Sequence, residues 1–300
     1  MIRLLNKRIN AFMGLTHTVL SLCLMAILMM VPTEFFQSTF GVLKHNLVLF
    51  FVCVIVLVGG ALLPDLDNDQ SSAGHSLGII GSLFTLFMKS TSAIIWTVYH
   101  GKGDRPPRDR DGKPTQHRYL WHTLIVGIIF IALFYFFIPN TNETLYETVK
   151  SVRSITEFFK INSIILLYML VIFAAVLAGS SMVVYRISQL FKLIFHMPAF
   201  VKYVVPVAVI CYIATINYTD MRIIGLCFGV GYLAHCVEDM FANSGVCALW
   251  PIPVGNQVWK KIHFPLAVDT GGSAETIITI LGTVGAVLLF FFVFTNKTIF

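Results

Sequence analysis

The sequence predicts an all-α membrane protein, a polytopic bundle of about seven transmembrane helices with polar motifs clustered at the cytoplasmic edge. Two observations carry this fold class. The 300 residues are 57% hydrophobic and only 12% charged, whereas soluble domains carry about 25% charged residues. The mean hydropathy is +0.80, and the apolar residues form separate runs of roughly 20 residues, long enough to cross a bilayer.

Seven apolar runs are candidate spans, with polar or proline-containing segments between them. They lie at about residues 11–31, 46–63, 119–138, 163–185, 199–216, 221–241 and 274–294. Glycines, serines and a lysine interrupt the apolar stretch 77–99, which favours an interfacial or re-entrant segment over a full span. Residues 186–197 alternate basic and apolar positions at helical spacing and predict a helix on the membrane surface.

Basic residues predict the orientation and the surroundings of this bundle. The first ten residues contain Arg3, Lys7 and Arg8, and the loop 100–118, rich in proline and glycine, contains six Lys or Arg. Because Lys and Arg concentrate in cytoplasmic loops, we expect the N-terminus and this flexible loop in the cytoplasm. The chain 1–300 is then a single domain, multi-pass in the inner (plasma) membrane. These loops explain the net charge of +6, so the expected partner is the lipid bilayer and not nucleic acid. The sequence does not indicate an oligomeric state.

Histidine and aspartate side chains concentrate at one edge of the predicted bundle, contributed by four separate spans. They are His17, Asp65, Asp67, His117, His122, His235 and Asp239. His235 and Asp239 are four residues apart within an apolar run, so they share one face of a helix. Ionisable residues inside a span indicate function by default. Since the orientation rests on Lys and Arg alone, the convergence of these residues is a partly independent result.

Imidazole and carboxylate groups together predict a divalent metal site, with zinc expected and manganese or iron as alternatives. Seven candidates exceed the four ligands of one tetrahedral zinc, so we expect one or two ions. The remaining groups would then orient ligands or accept protons. Each residue has a simpler explanation when taken alone: His17 as an interfacial histidine, and Asp65 and Asp67 as caps that follow Pro64. Their joint placement favours the metal.

At these residues the sequence resembles the YdjM-type inner-membrane proteins, a LexA-regulated family regarded as metal-dependent hydrolases. The shared motifs, in order, read LTHTVL, LLPDLDNDQS, HRYLWHTL, GYLAHCVEDMFANSGVCALWPIP and TGGSAE. They cover about residues 17–275, and five motifs in one order are far more specific than any one of them. The chain departs from the family pattern at Tyr119 and Trp121, where the family usually has Gly and Thr. The two histidines beside them remain.

The constellation and the resemblance together assign roles to nine residues. The expected metal ligands are His17, Asp65, His117, His122, His235 and Asp239. The expected catalytic residues are Asp67 as base or seventh ligand, Arg118 to neutralise a phosphate or oxyanion, and Glu275 as base or supporting carboxylate. A looser similarity to zinc-dependent phospholipase C implies a phosphoester or phospholipid-like, amphiphilic substrate for a metal-dependent hydrolase.

Two rival functions fit the same residues. A metal- or proton-coupled transporter would use ionisable residues, but it would place them near the bilayer midplane, whereas these lie at one edge. A non-catalytic membrane protein would use the metal only to join helices. A closed coordination shell would support that reading, and an open position would support catalysis.

Overall fold

The computed structural model of this chain consists of α-helices, short 3-10 turns and loops. Among the residues that it describes, β-structure is limited to isolated bridges. It describes residues 2–68, 71, 79–106, 118–145, 147, 163, 165, 167–180, 182, 201–265, 267–269 and 272–295, with the backbone alone at 2–13, 79–80 and 201–203. The all-α class expected from the sequence is confirmed.

The helices follow the apolar runs of the sequence. They are α1 (Ile2–Met30), α2 (Glu34–Phe40), α3 (Val42–His45), α4 (Leu47–Leu62), α5 (Ile79–Val98), α6 (Leu124–Phe136), α7 (Leu167–Ser180), α8 (Val201–Thr215), α9 (Tyr218–Asp239) and α10 (Ser273–Thr295). Asparagines begin two of the central helices. The side chain of Asn46 accepts a hydrogen bond from the Leu49 amide (3.0 Å), and that of Asn217 from the Asp220 amide (2.8 Å). Each cap satisfies a donor that the first helical turn leaves without a partner.

The described residues support three or four membrane spans. Three segments are long and apolar enough to cross a membrane, namely Leu47–Asp67, Tyr218–Asp239 and Ser273–Thr295. A fourth forms if Gly14–Met30 and Glu34–His45 make up one span, although the two are bent by 118° at the break between them. Pro32 lies in that break, and proline interrupts helices because it lacks a backbone donor. The expected number of seven spans stays a prediction.

Other predicted segments have mixed outcomes. Helices α6, α7 and α8 coincide with expected spans but belong to the shorter apolar helices of 10–17 residues. The stretch expected to be interfacial or re-entrant contains α5, a continuous helix of 20 residues. The surface helix expected at 186–197 lies outside the described residues.

Helices α4 and α9 pack together at the centre of the molecule, and glycines allow their backbones to approach closely. A Cβ atom added at Gly60 would overlap the Phe228 carbonyl, and one added at Gly231 would overlap the Leu57 carbonyl. Small residues are favoured between membrane helices because the helices gain packing contacts there instead of hydrophobic free energy. The close contact fixes the ends of the two helices beside each other.

Loops cover the ends of α4 and α9. Helix α4 is followed by the 3-10 turn Pro64–Asp67, and α6 is preceded by the 3-10 turn Leu120–His122. The segment that follows α9 folds back on itself through bridges that pair Val246 with Ile262 and Ala242 with Val268. The two 3-10 turns and the segment after α9 therefore meet at one end of the bundle.

The first part of the loop expected to be flexible, residues 100–106, is held against this cover. The Asp104 carboxylate accepts hydrogen bonds from three backbone amides, those of Gly101 (2.6 Å), Val258 (3.1 Å) and Trp259 (3.1 Å). Residues 107–117 lie outside the described part of the chain. Its flexibility as a whole therefore stays a prediction.

Candidate metal centre

Four side chains from three elements converge where these ends meet. They are Asp65 from the turn after α4, His122 from the turn before α6, and His235 and Asp239 from the last two turns of α9. Each offers one ligand atom, and the four atoms lie within 4.8 Å of one another. The pair on α9 shares one helix face, as the spacing of four residues predicts.

The distances between these atoms match those of a metal's coordination shell. The Asp239 Oδ2 atom lies 3.4 Å from the Nε2 atoms of both His122 and His235. The Asp65 Oδ1 atom lies 3.6 Å from His122 Nε2 and 3.8 Å from His235 Nε2. In a tetrahedral site with metal–ligand bonds of about 2.0–2.2 Å, ligand atoms stand about 3.3–3.6 Å apart. The carboxylate–imidazole distances of 3.4–3.8 Å are close to this range, so these four side chains could hold a zinc-sized ion after a small contraction.

Two of the four ligand atoms are buried and have no hydrogen-bond partner among the described residues. They are His235 Nε2 and Asp239 Oδ2, and the side chains are 0% and 2% exposed. A buried polar atom without a partner costs about 1–3 kcal/mol, and more when it is charged. A metal ion bound by both atoms removes this cost.

Both imidazole rings are held through their Nδ1 atoms, so their Nε2 atoms face the cluster. The Nδ1 atom of His235 lies 2.7 Å from the Ala61 carbonyl oxygen, which can only accept, so Nδ1 carries the proton and Nε2 keeps its lone pair. The Nδ1 atom of His122 lies 3.4 Å from Asp67 Oδ2. Histidine ligands of metals are usually held in this way by a carbonyl or a carboxylate.

Asp67 therefore lies behind His122 and not among the four converging atoms. Its side chain is 0% exposed. It also accepts a hydrogen bond from the Arg118 backbone amide at 3.3 Å. This position fits a carboxylate that orients His122 better than it fits a base that meets a substrate.

Arg118 supplies a buried positive charge to the cluster. Its Nη2 atom lies 3.0 Å from Asp239 Oδ1, and its Nη1 atom donates to the Ser244 hydroxyl. The backbone of Arg118 has φ 64°, a left-handed conformation that is rare for residues other than glycine. Such strain persists where surrounding contacts enforce it, and here both the amide and the guanidinium of Arg118 are engaged.

His17 lies next to the four side chains, on helix α1. Its ring lies against that of His235, with centroids 4.1 Å apart and the ring planes tilted by 35°. Its Nε2 atom lies 3.7 Å from Asp239 Oδ1, and its Nδ1 atom lies 2.5 Å from Glu238 Oε2. The structure thus brings His17 to the cluster, but its shortest contact is to Glu238.

Glu275, at the start of α10, is buried against helix α1. Thr16 on α1 donates its hydroxyl hydrogen to Glu275 Oε1 at 2.9 Å. The same hydroxyl group lies 2.7 Å from that of Thr279. Glu275 therefore joins α10 to α1 beside His17.

A cavity of about 340 Å³ adjoins the cluster on this side. Its polar wall contains Thr16, His17, Glu238, Asp239 and Glu275. Since Asp239 belongs both to this wall and to the four converging side chains, a molecule in the cavity reaches the site where the metal would lie.

The loop cover above the cluster contributes a buried thiol and a partly buried ammonium group. Burial raises the pKa of the Cys247 thiol to about 12, so this thiol stays protonated and is a poor nucleophile. Burial lowers the pKa of the Lys261 ammonium, which favours its neutral amine form. The Lys261 nitrogen lies 5.0 Å from the centre of the Tyr119 ring.

Of the nine residues assigned from the sequence, the structure describes eight. Asp65, His122, His235 and Asp239 form the converging set, with His17, Asp67 and Arg118 in contact with it and Glu275 further out. His117 lies outside the described residues. Sequence reasoning missed Glu238. A glutamate next to Asp239 in an otherwise apolar helix end was the available signal.

The fold and this site define a helical membrane protein with a buried His/Asp cluster that could hold a metal ion. The model of the YdjM inner membrane protein family matches residues 12–299. The chain therefore belongs to the YdjM inner membrane protein family, which confirms the resemblance drawn from its motifs. Neither a curated protein nor a solved structure matches the chain significantly.

Proposed function

We propose that this protein is a membrane-bound metal-dependent hydrolase that acts on an amphiphilic substrate at the cytoplasmic face of the inner membrane. The observation that carries the proposal is the convergence of four ligand atoms at 3.4–3.8 Å. Two of these atoms lack any other partner in the described part of the chain. A ligand set of two imidazoles and two carboxylates suits zinc, with manganese or iron as alternatives.

The residues around the ligands have distinct roles in this proposal. A divalent ion at such a site lowers the pKa of water toward neutrality and polarises the bond to be cleaved. Asp67 and the Ala61 carbonyl hold the rings of His122 and His235 in place, and Arg118 holds Asp239. Glu238, which faces the cavity in contact with His17, is placed to accept a proton.

Of the one or two ions expected, the same geometry favours one. One ion takes the four converging atoms. A second would have to use His17, Glu238 and the Oδ1 atom of Asp239, which Arg118 already contacts at 3.0 Å. One ion is therefore the better fit.

A purely structural metal is the second candidate, because four protein ligands can close a tetrahedral shell. Two observations favour catalysis instead. Asp65 is the most exposed of the four, at 15%, and zinc sites with carboxylates expand to five ligands. The cavity beside Asp239 gives a substrate access, which a metal that only joins helices does not need.

Transport is less well supported. The ionisable residues lie at the ends of α4 and α9 and not at their centres. Close contacts at Gly60 and Gly231 bring the backbones of these helices together next to the cluster. A transported ion would need a path there.

Metal content is the first test. The protein is purified in detergent, and its metals are counted by mass spectrometry for the wild type, His235→Ala and His263→Ala. His263 is an exposed histidine whose ring contacts the Phe264 backbone, so it is the matched control. We expect one zinc, manganese or iron ion per chain in the wild type and the control, and none in His235→Ala.

Activity is tested next with the metal found. Phosphoester and carboxylic ester amphiphiles are offered to the loaded protein, with His122→Ala as the inactive control. A metal that is present without any hydrolysis favours the structural role. Full metal content in His235→Ala refutes the site itself.

A further inference from the structure

The cavity beside the metal site has one polar and one apolar half. The polar half lies against His17 and Glu238. The apolar half is formed by side chains from α1, α10 and the loop after α9, among them Leu20, Phe241 and Ile278. At about 340 Å³ it falls within the range of ligand pockets, about 300–1,000 Å³. We call it the amphiphile cavity.

The apolar half is continuous with the lipid-facing surface. Phe241 is 47% exposed and Ile278 is 37% exposed, and Ile277 and Leu281, their neighbours on α10, are more exposed still. Because exposed apolar side chains on a membrane helix face hydrocarbon, a chain from the bilayer can enter the cavity without crossing water.

The polar half is acidic. Three carboxylates line it, those of Glu238, Asp239 and Glu275. Among the described residues that line the cavity there is no Lys or Arg, and Arg118 approaches Asp239 from outside it. A net negative head group meets repulsion here, whereas an ammonium group meets acceptors in a partly dehydrated wall.

Asp239 connects the wall of the cavity to the proposed metal site. Asp239 Oδ2 is buried and lacks a hydrogen-bond partner, and it faces the imidazoles of His122 and His235 at 3.4 Å. Because Asp239 lines the cavity and also belongs to the converging set, a head group in the cavity lies next to the proposed metal site.

We propose that the amphiphile cavity binds a membrane amphiphile whose head group contains an ammonium, with a zwitterionic phospholipid as the form that also supplies a phosphoester. The hydrocarbon chain lies along Leu20 and Ile278, and the ammonium lies at the Glu238 and Glu275 wall. The proposal rests on the proposed function for the choice of substrate, but binding is measurable without turnover.

Two photoreactive lipids test the proposal. Both are single-chain phospholipids with the same diazirine-bearing acyl chain and the same phosphate, and one has an ethanolamine head and the other a glycerol head. They are irradiated with the detergent-purified full chain, and labelled peptides are quantified by mass spectrometry. Since an ammonium can make charged hydrogen bonds to the carboxylates and a glycerol cannot, we expect the ethanolamine lipid to label peptides with Leu20 or Ile278 on the order of tenfold more.

Three variants sharpen the result. Glu275→Gln should reduce the preference for the ethanolamine lipid, while Glu34→Gln, at the exposed start of α2, should leave it unchanged. Ile278→Trp fills the apolar half and should reduce labelling by both lipids. Equal labelling by the two lipids, or stronger labelling by the glycerol lipid, overturns the proposal.

Hydrolysis of the same two lipids separates this inference from the proposed function. If the ethanolamine lipid labels the cavity but neither lipid is cleaved by the metal-loaded protein, the cavity assignment stands and the hydrolase is refuted. If both lipids are cleaved equally and label equally, the hydrolase stands and the head-group preference is refuted.

Discussion

Asparagine in place of Asp67 would remove the charge behind His122 while keeping the shape of the side chain. Asp67 is fully buried, and its Oδ2 atom lies 3.4 Å from His122 Nδ1 and 3.3 Å from the Arg118 amide. The amide oxygen of asparagine can still accept one of these hydrogen bonds, but a neutral acceptor makes the imidazole a weaker ligand. Partners of this kind contribute about 10–100-fold to metal affinity.

We therefore expect Asp67→Asn to weaken zinc binding by about tenfold, which corresponds to about 1.4 kcal/mol. Asp67→Ala should weaken it further, toward about 100-fold, because it leaves His122 Nδ1 without a carboxylate. The assay is competition for zinc with a fluorescent chelator at fixed pH, in detergent. Asp269→Asn is the control, since Asp269 is exposed and hydrogen-bonded to Asn243.

Two results would refute this reasoning in different ways. If Asp67→Asn binds zinc as tightly as the wild type, the carboxylate does not support His122. If the same variant binds no zinc at all, Asp67 is itself a ligand, and the 3-10 turn Pro64–Asp67 must rearrange when the metal enters.

Two further predictions concern the scaffold. Arg118→Gly and Arg118→Ala both remove the cation beside Asp239, so both should lower the melting temperature. The glycine variant should melt at the higher temperature of the two, because φ 64° costs alanine about 1 kcal/mol. A lower melting temperature for the glycine variant contradicts this account. Gly231→Ala should force α4 and α9 apart at the Leu57 carbonyl and cost about 1–3 kcal/mol, measured as reduced thermal stability and metal content. The control Gly285→Ala, whose Cβ would meet only Cys23 Sγ at 3.8 Å, should melt like the wild type.

The sequence predicted where the central helices lie, whereas the number of helices that cross the bilayer stays a prediction. Apolar runs determine where a helix forms, and α4, α9 and α10 lie within a few residues of the expected spans. Whether a helix crosses the bilayer depends on its length and direction after packing. The 118° bend after Met30 illustrates this, since proline predicts a break but not its angle.

The candidate site was predictable to the level of residue type and neighbourhood. The i, i+4 spacing places His235 and Asp239 on one face, and motif order suggested which other residues join them. It placed Asp65 among the ligands and left Asp67 as base or seventh ligand, because both follow the same proline. Only the turn geometry shows that Asp67 lies behind His122 while Asp65 joins the converging set. Glu238 was missed for a related reason: the helix rotation that turns it toward His17 depends on how α1 packs against α9.

Charge balance gives an independent reason for a divalent ion at this place. Asp65, Asp67 and Asp239 contribute three negative charges in a buried volume. Arg118 contributes one permanent positive charge through Asp239, which leaves two for other groups to balance. Buried charges are tolerated only when they are paired.

Two protonated histidines or one divalent ion could supply these two positive charges. Protonation of His235 together with His17 or His122 would place positive charges on rings whose centroids are only 4.1 Å or 5.0 Å apart. Like charges at such distances repel strongly in a low-dielectric interior. A divalent ion supplies the same charge at the point where the carboxylates converge and leaves the imidazoles neutral, the form in which they bind metals. Proton release on zinc addition, measured in a weakly buffered solution, tests this account directly: the wild type should release protons that His235→Ala does not, and equal release by both would show that the cluster is not where the ion binds.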